Sequence, residues 1–270
     1  MQPRRTYKNL ASVRRGRERH DHSLKANQPK PMTPKEDARL NEMNLSSLLA
    51  LVESGNLPVA ISSVKANPDP VEASAAFIEL ARQTYRQLKD VSSMVAIADA
   101  GTQFALSQGG PSVDVGKLRR NAKVLAFNTA ANCWPGWGDE GIEIRTEHLE
   151  AGLKLATLSR DLTEELDLGH KERGTAHWLI GALHLALGEF AESIAALQRA
   201  KDEYRAGGNS DQLLMAEGYV ALALKAQPAS RSGGALELDR ILRQLGNQNS
   251  KEAQFFANQL ITADRILVGP

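Results

Sequence analysis

The chain has 270 residues, 42% of them hydrophobic and 5% aromatic, with a formal net charge of +1 at pH 7. That length gives room for one large or two small domains with a substantial core, and no apolar run reaches the roughly 18 residues that a membrane-spanning helix needs. One cysteine, Cys133, excludes an internal disulfide framework and sets the expectation of a reducing, cytoplasmic compartment.

The near-zero charge hides an asymmetry. Residues 1–30 carry nine Lys/Arg against two acids, a local +7, and the remainder carries 24 against 30, or −6. The first 32 residues, rich in Arg, Asn and Pro, cannot bury enough apolar surface to offset their ordering entropy, so they are expected as a disordered basic tail. No apolar stretch follows the N-terminal arginines, so a secretory signal is not expected. The folded body is expected over 33–270.

Thr33-Pro34-Lys35-Glu36 has the elements of a capping box with proline at the first helical position, predicting a helix to about Ser54 that stops at Gly55-Asn56. A shorter helix is expected near 58–66. Asp69-Pro70-Val71-Glu72 repeats the start signal for a helix through about Lys89, followed by one over 91–108 that closes at Gly109-Gly110-Pro111. Helices near 114–132, 146–167, 171–187, 189–206, 210–226, 234–245 and 250–267 complete the series. The glycine pairs 109–110, 207–208 and 233–234 read as loop punctuation. No window shows the alternation of a strand bounded by hairpin turns. Antiparallel hairpins with short connections stack side by side, so the expected fold class is all-α: a right-handed superhelix of about five helical hairpins.

Residues 174–207 carry the clearest pattern. Trp178, Ile180, Leu183, Leu185 and Leu187 recur at helical spacing, as do Phe190, Ile194, Leu197 and Ala200. Gly188 stops the first helix, Glu189 and Glu192 suit the dipole of the second, and Gly181 faces Ser193 and Ala196 where two backbones must approach. This hairpin resembles a tetratricopeptide repeat, with Ile180-Gly181 at the Leu-Gly position, His184 at the tyrosine, Ser193 at the small residue, Leu197 at the aromatic and Ala200 at the last alanine. It departs from the pattern at His177, which stands where tryptophan is usual, with Trp178 one place late, and no proline closes the unit. The resemblance covers about an eighth of the chain; 146–168 and 210–226 look like flanking half-repeats. It implies a surface that binds proteins and no cofactor.

Two segments offer candidate binding residues. In the helix 117–132, Lys117, Asn121, Asn128 and Asn132 fall within one narrow stripe, opposite Leu118, Ala122, Ala126, Thr129 and Cys133. Asparagine is a poor helix former, so three on one face suggest hydrogen bonding to an extended peptide, against the plain alternative of a solvated or interhelical polar face. The resemblance adds that Lys and Asn on the first helices of such hairpins hold a peptide's terminal carboxylate. The loop 133–145, CWPGWGDEGIEIR, then carries Trp134 and Trp137, which either plug the gap between hairpins or clasp a ligand, leaving Asp139 and Glu140 as solvated residues in the first case. Trp178 joins these as a candidate partner contact.

Chemistry finds less support. His170, His177 and His184 recur every seven residues, about 10 Å per step along a helix, too far apart for one metal ion. His20-Asp21-His22 lies in the expected tail with nothing to preorganise it. No phosphate-cradling glycine loop, nucleophile elbow or His-Glu-x-x-His motif appears. An enzyme centred on the tryptophan loop with Cys133 and a histidine stays as the least favoured reading. The favoured expectation is a non-enzymatic scaffold, without catalytic or metal-binding residues, that binds a peptide or partner helix in a concave groove. The alternative is a nucleic-acid-associated accessory protein whose residues 1–30 neutralise phosphates.

Overall fold

The computed structural model describes residues 45–269. The expected tail, the arginines expected to neutralise phosphates, the capping box at Thr33 and the His20/His22 pair lie outside the described residues. Among the described residues all regular structure is helical. The order is α1 (Leu45–Glu53), α2 (Leu57–Lys65), α3 (Pro70–Gln83, continued by a π turn, Thr84–Leu88), α4 (Val91–Ser107) and α5 (Val115–Asn132). A short 3-10 turn, Pro135–Trp137, leads to α6 (Thr146–Glu165), α7 (His170–Leu187), α8 (Phe190–Ala206), α9 (Ser210–Ala226) and α10 (Arg231–Asn247). The last helix is α11 (Lys251–Ala263), continued by a π turn, Asp264–Val268.

The starts follow capping chemistry that the sequence announces. Asp69 accepts the Val71 and Glu72 N–H groups with Pro70 inside the first turn, and Asp90, Asp114 and Ser250 each accept from the residue three places on. Gly188 ends α7 at φ +78°, where a side chain would be strained.

Successive helices pair, and their contacts give the register. Arg119 meets Glu165 while a methyl at Gly152 would lie 2.7 Å from Cys133 Cβ, so α5 and α6 run antiparallel. Ser193 Oγ donates to the Gly181 carbonyl at 2.8 Å, and Thr175 bonds Tyr204 at 3.1 Å, which makes α7 and α8 antiparallel as well. The small residues in this pair have the predicted purpose: a side chain at Gly181 would begin 2.6 Å from Leu197.

Alternate helices run parallel. Asp211 accepts from Ser250, Gln212 donates to Glu252, and Lys225 reaches Asp264, all 39 or 40 residues apart, setting α9 beside α11. This spacing is longer than the 34 residues of a tetratricopeptide repeat, and the helices of these pairs are correspondingly long, at 17 or 18 residues in α7 to α10.

One glycine pair departs from expectation. Gly233 and Gly234 sit inside α10, not in a loop. A Cβ on Gly234 would stand 2.3 Å from the Lys225 nitrogen and 2.8 Å from the Ala221 carbonyl, so glycine here lets two helix backbones touch. Gly233 faces open space. The core is mainly Ala and Leu, as such close packing requires, and Trp134, Trp178 and Tyr219 meet in one aromatic cluster within it.

Candidate functional site

The asparagine stripe of α5 lies along the neighbouring pair α3/α4. Asn121 is half-buried and donates from Nδ2 to Ser74 Oγ at 2.7 Å, with the Val71 carbonyl at 3.4 Å. Asn132, at the helix end, directs its Nδ2 at Met94 Sδ, 3.7 Å away. These two satisfy the interhelical reading. Lys117 and Asn128 on the same stripe are exposed.

The tryptophans come together away from solvent. Trp134 is 1% exposed and Trp178 5%, while Trp137 is half-buried. Trp134 meets Trp137 edge to face at 4.9 Å between ring centroids, Trp178 at 6.1 Å and Tyr219 at 5.7 Å; Trp178 and Tyr219 are 5.6 Å apart. The loop after α5 thus folds back so that Trp134 and Trp137 fill the space against α7 and α9, and the filling of a gap is the use that the geometry shows. Gly136 allows it: a Cβ there would fall 2.1–2.6 Å from the Trp134 indole. Trp137 Nε1 donates to the Ala131 carbonyl at 2.7 Å, but Trp134 Nε1, Trp178 Nε1 and the Tyr219 hydroxyl are buried without a hydrogen-bond partner. Tyr219 was not singled out from the sequence; the signal was its place on α9, one repeat after Trp178.

Asp139 and Glu140 are not merely solvated. The Tyr85 hydroxyl donates to Asp139 Oδ2 at 2.7 Å, and Lys89 Nζ donates to the Glu140 carbonyl at 2.8 Å, tying the loop to the end of α3. Burial, and then the Asp139 carboxylate, push the Tyr85 phenol well above its ordinary range. A cleft of about 390 Å³ opens beside these anchors, lined by Tyr85, Arg86, Lys89, Asn132 and the loop.

Cys133 is buried beneath α6, and burial pushes its thiol up to about 12, with the Asp99 charge adding to the shift. At neutral pH it is a thiol, a poor nucleophile. Three histidines on α7 have other surroundings. His170 Nδ1 pairs with Glu203 at 2.8 Å and His184 Nδ1 with Glu189 at 2.6 Å, while burial, with Arg160 and Arg199 next, lowers His177. Among the described residues no three metal-ligating side chains converge.

A serine–histidine contact that the sequence did not suggest joins α4 to α6. His148 Nε2 lies 2.9 Å from Ser92 Oγ. Its other nitrogen, Nδ1, accepts the Arg145 backbone N–H at 3.2 Å, while Arg145 Nη2 lies 3.3 Å from Nε2. Arg145 Nη2 also donates to Ser92 Oγ, at 3.0 Å. The histidine therefore caps α6 through Nδ1, with the Arg145 guanidinium beside its contact to the serine. Burial, then the Arg145 charge, lower the His148 pKa.

Comparison of the chain with protein-family models, with curated proteins and with solved structures found no match.

Proposed function

We propose that the chain is a non-enzymatic interaction scaffold of the reducing cytoplasm, a right-handed, tetratricopeptide-like stack of hairpins that holds a peptide or partner helix along the α3/α5 seam. The observation that carries the reading is the division within one stripe of α5. Asn121 and Asn132 are engaged by α3 and α4, whereas Lys117 and Asn128 offer an ammonium and an amide to solvent beside them. An ammonium plus an amide suits an extended peptide: the amide pairs with backbone N–H and C=O groups, and the ammonium favours a carboxylate.

The aromatic cluster supports the same location by subtraction. Trp134 and Trp178 are committed to packing, so binding falls to the polar stripe and not to them. The reading is tested by affinity capture with the wild type and a Lys117→Ala/Asn128→Ala variant whose thermal unfolding matches it. Loss of a specifically recovered protein from the variant is expected; equal recovery by both would sink the site.

A further inference from the structure

Helix α11 is seated differently from the helices before it. It lies against α10 over a shorter stretch than α9 lies against α8, and no described helix covers its outer face, where Ile261 is 54% exposed. Its inward side chains Phe256 and Leu260 are apolar and buried, with Leu260 packed onto Gly218 of α9. Polar contacts hold the two ends: Glu252 meets Gln212 at 2.6 Å and Lys171 at 3.4 Å, and Asp264 meets Lys225 at 2.7 and 2.8 Å.

Thr262 of α11 and Ile266 of the π turn after it lie on the tryptophan loop, since both would stand 3.1 Å from a Cβ at Gly138. Gln259, one turn before Thr262, is buried with its Oε1 unpartnered. A buried polar group without a partner is penalised relative to water. Opening the junction relieves that penalty, so α11 gives up less on undocking than its apolar contacts alone suggest.

We propose that α11 is the displaceable occupant of a helix-binding seat formed by α9, α10 and the Pro135–Trp137 turn. The seat accepts from a partner an amphipathic helix with an aromatic-x3-aliphatic stripe flanked by acidic residues about twelve positions apart, as Glu252 and Asp264 flank Phe256 and Leu260. Lys171 and Lys225 at its two ends supply the charge complement. The proposal rests on the scaffold reading and adds a second surface, with its partner chemistry.

Hydrogen exchange on the full chain tests the opening. Residues 251–268 are expected to exchange in a step that leaves α7 and α9 protected. A labelled peptide of residues 249–268 then tests the seat on the same full chain. The wild type is expected to prefer this peptide about five-fold over its Asp264→Lys version, and a Lys225→Glu chain is expected to reverse that order. Protection of α11 equal to that of α9, absence of peptide capture, or an order that Lys225→Glu leaves unchanged would overturn the proposal. None of these results touches capture through Lys117 and Asn128, so failure here is distinct from failure of the scaffold reading.

Discussion

Trp134 closes over Gly136, two residues along the same loop, so tightly that a methyl on that glycine would fall 2.1 Å from the indole. The contact lets the loop lay Trp134 against Trp178 of α7 and Tyr219 of α9. Gly136→Ala is expected to destabilise the fold by about 1–3 kcal/mol, the usual cost of overpacking. Urea unfolding followed by tryptophan fluorescence checks it; a change below about 0.5 kcal/mol would mean that the loop repacks freely.

The neighbouring glycines of α10 separate two effects of one substitution. Gly234→Ala places a Cβ on the backbone of α9 and is expected to cost at least about 1–3 kcal/mol, since neither helix has a flexible atom to move there. Gly233→Ala meets nothing and is expected to stabilise by up to about 1 kcal/mol through helix propensity. Thermal melts of the two single variants should therefore shift in opposite directions.

These glycines show where the sequence was legible and where it was not. Capping residues such as Asp69, Asp90 and Ser250 act locally, so helix starts were readable from neighbours in the chain. Gly181 was readable too, because both sides of its contact lie in one hairpin. Gly234 was not: its need arises from α9, and the pair looked like a loop. The loop 133–145 failed similarly, since Asp139 looks solvated until Tyr85 of α3 is brought to it. The Asn stripe split in two for the same reason, Ser74 and Met94 being supplied by other helices.

Acid should weaken the fold through its buried imidazoles. The His148 and His177 pKa values are lowered in the folded chain, so the unfolded chain binds more protons. Stability is then fully present above the ordinary histidine value near 6.5 and falls as pH drops from there towards the folded values. Denaturant unfolding at pH 7.5 and pH 5.5 should show the decrease, and His148→Gln should reduce its size. A pH response that this variant leaves intact would remove His148 from the account.

Cys133 should be silent while the chain is folded. A thiol held at about 12 by burial reacts slowly with a disulfide reagent at pH 8, and at an ordinary rate once exposed. Reaction is expected to follow the unfolding transition in urea. Rapid labelling of the native chain would show that the region under α6 opens.

The most direct test of the scaffold claim is hydrogen exchange on the chain alone and with the protein that it captures. Binding at the α3/α5 seam predicts added protection across Val115–Asn132 and Pro70–Gln83, abolished with capture in the Lys117→Ala/Asn128→Ala variant. Protection confined to the outer faces of α8 and α10, with α3 and α5 unchanged, would contradict it.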